Sequence, residues 1–287
     1  MGALTPRVVR TARGPVEVAV TGSGPALLVV HGMPGDWRQG RVLAADLAAD
    51  ATVLLVTRPG YGRTPLRSGR SPVEQAALYA ALLDALDLPE AVVLGISGGG
   101  PSAFAFAAGH PERCAGLVLA CAVRSGAITV PAGMRRLAAV PGVWSLLASL
   151  ARGVAAVRRP QPSHDGLTPQ ELALLDDPYV REAAEAFEAE RTATLRGRGL
   201  RNDARHLNDP APPWASDAPV VVMHGDLDEV VPLDNARSYA EVPGARLEVL
   251  LGLGHAVPVF ARAAVVSELR ALLSDRDVRR GAGRARP

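Results

Sequence analysis

The sequence predicts an α/β domain: a mostly parallel, doubly wound sheet with a helical segment inserted between two of its strands. Three observations predict it. Short continuous apolar runs, as strands buried on both faces require, alternate with helix-compatible runs along much of the 287 residues. One of these runs, Ala91-Val92-Val93-Leu94, leads through Gly95-Ile96-Ser97-Gly98-Gly99 into a helix-compatible stretch. That is a strand–turn–helix with a Ser set between glycines. Strand signals then disappear between residues 124 and 217 and resume at residue 220.

Composition narrows the function classes. A hydrophobic share of 48% is ample for a core, and 4% aromatic residues mean a core of Ala, Val and Leu. A net charge of +2 gives no reason to expect a nucleic-acid partner. All 31 basic residues are Arg, which excludes a Schiff-base lysine and a phosphate-loop lysine. Residues 276–287 hold five Arg and one Asp among Gly and Ala and are expected to be a disordered tail. Cys114 and Cys121 fit no metal-ligand spacing and are expected to be buried, reduced thiols. The first residues carry no apolar signal core, and the uncharged run over 91–109 is broken by a Gly cluster and Pro101. The expectation is a cytoplasmic protein without a membrane span.

Residues 8–20 hold two short β-type runs separated by Ala12-Arg13-Gly14-Pro15, the pattern of an edge hairpin. Residues 26–30 form a buried strand that ends in the loop His31-Gly32-Met33-Pro34-Gly35, and a helix is predicted over 36–49. A second buried strand over 52–57 ends in the tight turn Arg58-Pro59-Gly60-Tyr61-Gly62-Arg63. Ser71 as N-cap and Pro72 at the first helical position begin a helix over 71–86. After the Ser97 turn and its helix comes a strand over 117–123. In the inserted region the helical pieces fall at 134–137, 143–157, 169–175 and 178–195. A strand over 220–223 then leads into His224-Gly225-Asp226-Leu227-Asp228, and a helix follows over 233–240. The last strand, 247–251, leads into Gly252-Leu253-Gly254-His255, and the final helix spans 257–273.

Three loops at strand C-terminal ends thus carry Ser97, then Asp226 and Asp228, then His255. Such loops are where open α/β sheets place ligand sites. A Ser hydroxyl is a poor nucleophile near neutral pH. It needs an imidazole to take its proton, and an acid to orient that imidazole and stabilise its charged form. A lone loop His is often structural and an Asp after a strand is often a helix cap. The coincidence of all three carries the reading.

On these residues the chain resembles a cap-bearing α/β-hydrolase of the esterase, C–C hydrolase and non-haem haloperoxidase-like group, over about residues 8–273. The resemblance implies the α/β-hydrolase fold, with a core of residues 1–123 and 218–275 and a helical lid over 124–217. His31-Gly32-Met33-Pro34-Gly35 matches the family's oxyanion loop, which implies the Met33 and Gly98 N–H groups as the oxyanion hole. Gly225-x-x-Asp228-x-x-Val231-Pro232 matches the acid motif and selects Asp228 over Asp226. Gly254-His255 matches the His motif. The Arg58–Thr64 turn is similar to the family's D-x-x-G-x-G-x-S, with Arg58 read in place of its acidic start. The implied catalytic residues are Ser97, Asp228 and His255, with no cofactor and no metal. Ser97 departs from the Asp nucleophile of epoxide hydrolases and haloalkane dehalogenases, and Gly98 from the Trp that follows the Ser in proline iminopeptidases.

The expected activity is serine hydrolysis of a small apolar carbonyl substrate, an ester or lactone, through an acyl-enzyme. Trp144, Phe187 and Trp214 in the lid also permit C–C bond cleavage, or lyase or cyclase work with the same triad. A hydrolase fold kept only for ligand binding is a third reading. The expected partner is a small molecule, and a homodimer is compatible with the sequence.

Overall fold

The apolar runs fold as strands because their residues can be buried on both faces at once. The computed structural model describes residues 4–124, 167–194, 198–206, 208–214 and 216–284. Among these residues eight strands form one sheet: β1 (Arg7–Thr11), β2 (Gly14–Thr21), β3 (Ala26–Val30), β4 (Thr52–Val56), β5 (Ala91–Ile96), β6 (Cys114–Ala120), β7 (Val220–Gly225) and β8 (Ala245–Leu250). Their order is β1-β2-β4-β3-β5-β6-β7-β8. The β1–β2 hairpin and the β2–β4 pair are antiparallel, and every later pairing is parallel. Every residue of β3 and β5 is buried, whereas the edge strand β8 is half exposed. This is why β3 and β5 read as unbroken apolar runs.

Alternating side chains split the core into two layers. Leu28 and Val30 of β3 pack beneath α2 (Pro72–Ala85) and α3 (Gly100–Gly109). Leu27 and Val29 pack beneath α1 (Arg41–Leu47) and the long C-terminal helix. Helix α2 begins as expected: the Ser71 hydroxyl accepts the Glu74 N–H, and the Glu74 carboxylate reaches back to the Ser71 N–H. The helix predicted over 36–49 is a 3-10 turn, Trp37–Gly40, followed by α1.

Between β6 and β7 the described residues form helices: α4 (Pro169–Leu174), α5 (Pro178–Thr194) and α6 (Arg198–His206). The helical pieces expected at 134–137 and 143–157, with Trp144, lie outside the described residues. Sequence reasoning missed α6. Its Arg-Gly-Leu-Arg-Asn-Asp-Ala-Arg-His run has no apolar stripe, and its buried face is Gly199, Asn202 and Asp203.

Beyond β7, α7 (Asp234–Ala240) precedes β8, and α8 (Val257–Phe260) and α9 (Arg262–Arg284) close the chain. The tail expected to be disordered from residue 276 instead continues α9 to Arg284. Arg and Ala are good helix formers, and no Pro stands in the way before Pro287. Cys114 and Cys121 are both buried and free, and burial pushes the Cys114 thiol up to about 12.

Candidate active site

The site lies at the C-terminal ends of β3, β5, β7 and β8. Ser97 follows β5 directly, in a 3-10 turn that opens α3. Its φ is +48°, a left-handed conformation that costs a residue with a side chain of order 1–3 kcal/mol. The turn closes because Gly95 has no Cβ; one there would stand 2.7 Å from the Ala103 Cβ of α3. Gly98 is bare for a different reason. A Cβ there would stand 2.6 Å from the Met33 Cβ and 3.2 Å from the Met33 N. The absence of a side chain at Gly98 is what brings the β3 loop up to the Ser97 turn.

The structure brings Ser97, His255 and Asp228 into one line. His255 Nε2 lies 3.0 Å from Ser97 Oγ, and His255 Nδ1 lies 2.8 Å from Asp228 Oδ2. An ionised carboxylate only accepts, so Nδ1 carries the proton and Nε2 is left to accept from the Ser97 hydroxyl. The other Asp228 oxygen accepts the N–H groups of Val230 at 2.9 Å and Val231 at 2.8 Å. His224 Nε2 stands 3.3 Å from Asp228 Oδ2. Burial alone would raise the Asp228 pKa. The hydrogen bonds from His224 and His255 outweigh it and hold the carboxyl well below the usual carboxylate range. Asp226 faces elsewhere, its Oδ1 accepting the Gly252 N–H at 2.6 Å.

Two groups of residues support these loops. Thr168 and Glu171 form the capping box of α4. Glu171 Oε1 also accepts the Gly254 N–H at 2.9 Å, and the Thr168 hydroxyl donates to the Gly252 carbonyl at 2.6 Å. The Thr-x-x-Glu pattern at 168–171 was the available signal for the helix start, but nothing local points to the His255 loop.

The second group is a buried polar cluster under the β3 loop. His31 Nε2 accepts the Arg58 N–H at 2.9 Å, so Nδ1 carries the proton and donates to the Gly32 carbonyl at 2.7 Å. Burial and the neighbouring Arg58 push the His31 pKa well down, so the ring is neutral. Arg58 is 2% exposed. Its Nη2 donates to the same Gly32 carbonyl at 3.3 Å. Its guanidinium forks onto both oxygens of Asp203 on α6, with Nη1 3.1 Å from Oδ1. Burial disfavours the Arg58 charge, but the Asp203 carboxylate more than compensates and holds it protonated. The Tyr61 hydroxyl donates to Asp203 at 2.7 Å. Counting back from Gly60 puts the acidic position of the resembled turn at Thr57, one residue before Arg58. The Thr57 hydroxyl accepts the Trp37 N–H at 3.3 Å, and its carbonyl accepts the Thr64 hydroxyl at 2.7 Å.

Of the aromatic residues expected in the lid, Trp214 packs on Phe104 of α3 with ring centroids 5.1 Å apart. Phe187 lines a groove of about 170 Å³ with Tyr179 and Arg262, whose lining does not include Ser97 or His255. Among the described residues no group of His, Cys, Asp or Glu is placed to hold a metal, and no helix is long and apolar enough to cross a membrane.

Comparison with known proteins agrees with this architecture. An uncharacterised hydrolase of Bacillus subtilis is 29% identical over 260 residues, covering 85% of this chain and 89% of its own. A poly(3-hydroxyalkanoate) depolymerase of Ectopseudomonas oleovorans is 29% identical, covering 84% of this chain and 81% of its own. Among solved structures, an α/β-hydrolase fold protein from Nakamurella multipartita superposes with a TM-score of 0.74 at 31% identity, over 94% of this chain and 99% of that one. An esterase from Thermogutta terrifontis superposes with a TM-score of 0.71 at 23% identity, over 95% and 99%, a likeness of fold. The family model of the α/β-hydrolase fold matches residues 25–261, which include strands β3 to β8 and the loops that carry Ser97, Asp228 and His255, and the chain belongs to that family.

Proposed function

We propose that the protein is a serine hydrolase that cleaves a small apolar ester or lactone through a covalent acyl-enzyme. Ser97 Oγ attacks the substrate carbonyl carbon as its proton passes to His255 Nε2. The carbonyl oxygen becomes an oxyanion held by the Met33 and Gly98 N–H groups. Collapse of this tetrahedral species breaks the C–O bond, and the leaving alcohol takes the proton from His255. Water then attacks the acyl carbon and gives a proton to His255; collapse breaks the bond from the acyl carbon to Ser97 Oγ, Oγ takes the proton back from His255, and the acid leaves. Asp228 keeps His255 in the tautomer that accepts from Ser97 and stabilises the imidazolium. In this reading the described helices between β6 and β7, α4 to α6, belong to the cap.

The observation that carries this reading is the aligned pair of contacts, 3.0 Å from Ser97 to His255 and 2.8 Å from His255 to Asp228. The left-handed Ser97 and the close approach of Met33 to Gly98 support it. Its ester specificity is supported by the depolymerase relative, whose name implies bonds of that class.

Intact-protein mass spectrometry after treatment with a fluorophosphonate, with the labelled peptide mapped, tests the proposal. Labelling at Ser97 that disappears in His255→Ala is the expected result. No labelling of the folded protein, or labelling at another residue, overturns the role of Ser97. A panel of short esters, lactones and β-diketones then separates C–O from C–C cleavage.

A further inference from the structure

We propose that Arg58 and Asp203 are positioning residues for the oxyanion hole: Asp203 on α6 holds Arg58 against the Gly32 carbonyl, which aims and polarises the Met33 N–H at the other end of the same peptide. The inference rests on the serine-hydrolase reading and adds to it a connection from the segment between β6 and β7 to the reacting centre.

The Gly32 carbonyl and the Met33 N–H belong to one planar unit, so whatever fixes the oxygen fixes the direction of the hydrogen. That oxygen accepts the His31 Nδ1–H at 2.7 Å and Arg58 Nη2 at 3.3 Å. On the near side of the loop, the Gly32 N–H donates to Gln39 Oε1 at 2.9 Å, and Gln39 Nε2 donates to the Pro34 carbonyl at 2.7 Å. Gln39 therefore holds the peptide units on either side, while the Gly32–Met33 unit itself is held at its oxygen by His31 and Arg58. A cation on a peptide oxygen draws electron density from the nitrogen through amide resonance. The attached N–H becomes a stronger donor, by ~10–30% per linked bond in condensed-phase estimates. Arg58 is 2% exposed and Asp203 7%, so water does little to screen the effect.

Asp203 is what makes a cation tolerable at this place. A buried guanidinium without its carboxylate is strongly unfavourable. Asp203 takes both terminal nitrogens of Arg58, and Tyr61 completes its shell. The rest of α6 is shaped to deliver it. The Gly199 N–H donates to the Gly60 carbonyl at 2.9 Å, a Cβ at Gly199 would clash with the Tyr61 ring, and Asn202 donates to the Arg70 carbonyl at 2.7 Å. A purely structural tie between α6 and the core would need none of the contact with Gly32. That contact is what a test must isolate.

The test compares the unaltered protein with Asp203→Asn, with Arg58→Lys and with the double variant Arg58→Met/Asp203→Leu. The double variant exchanges the ion pair for an apolar pair of similar volume, a replacement that folds often tolerate. Arg58→Lys keeps the charge but cannot grip Gly32 and both Asp203 oxygens at once. Steady-state hydrolysis of p-nitrophenyl butyrate is measured beside inhibition by an aryl trifluoromethyl ketone, which forms a tetrahedral oxyanion adduct on an active Ser. In each folded variant kcat should fall ~10-fold or more with KM within ~3-fold, because the lost interaction is strongest in the transition state. The inhibition constant of the ketone should rise by the factor by which kcat/KM falls. If either the double variant or Arg58→Lys folds cooperatively and keeps kcat within ~2-fold of the unaltered protein, the proposal is overturned. Ser97→Ala separates the two levels. Its loss of activity beside unchanged kcat in the Arg58 variants overturns the coupling alone; activity retained in Ser97→Ala overturns the serine-hydrolase reading and the coupling with it.

Discussion

Glu171 Oε1 accepts the backbone N–H of Gly254 at 2.9 Å, one residue before His255. The same carboxylate closes the capping box of α4 through the Thr168 N–H at 2.9 Å. One buried side chain therefore both starts a helix of the inserted segment and holds the loop of the proposed general base. Glu171→Ala should destabilise the fold by about 1–3 kcal/mol, since two backbone donors lose their acceptor. It should also lower kcat more than it raises KM, because His255 loses its fixed approach to Ser97. Denaturant unfolding and ester kinetics on the same preparation check both. Unchanged kcat would confine Glu171 to the helix cap.

The two acids after β7 should separate cleanly. Asp228→Asn leaves His255 without the acceptor that sets its tautomer, and kcat should fall by roughly 10³–10⁴. Asp226→Asn keeps an oxygen for the Gly252 N–H and should stay within about threefold of the unaltered protein. Comparable losses in the two variants would remove Asp228 from its proposed role.

Gly98→Ala should damage catalysis more than folding. The new Cβ would meet the Met33 Cβ at 2.6 Å, and the β3 loop must retreat to relieve it. The proposed N–H donors then no longer converge, and the loss of one such donor costs about 100-fold or more in kcat. Ester kinetics beside thermal unfolding check the prediction; a lower melting temperature at full kcat contradicts it.

His31 should make stability depend on pH. Its folded-state pKa is pushed down, so below the ordinary value near 6.5 the unfolded chain binds a proton that the folded protein refuses. Stability from this residue is complete above that pH and declines as the pH drops, by about 1.4 kcal/mol per unit. Asp228 acts lower. Its depressed pKa stabilises the fold above about pH 4, and that contribution fades as the pH falls further. Guanidinium unfolding between pH 7 and 5 should show the decline in the unaltered protein and a shallower one in His31→Asn. Equal slopes would mean that His31 is not held neutral.

Much of the fold was legible in the sequence by itself. β3 and β5 read as strands because both their faces are buried, so every position had to be apolar. The turn at Ser97 was legible because its geometry is local: a left-handed residue between glycines, at the join of a strand and a helix, is written within five positions. Ser97 and His255 stand out in their own short motifs, and the family resemblance adds Asp228 over Asp226 to the proposed triad. What only the tertiary structure decided is how those loops are held. Asp203 lies 145 positions from Arg58, and Glu171 lies 83 from Gly254. Helix α6 carries no apolar stripe because the face it buries is polar, and a polar side chain is buried only where a partner satisfies it. Whether an Asp or a Glu in the sequence is solvated or sits beneath a loop of the candidate site depends on that partner, and folding alone brings the two together.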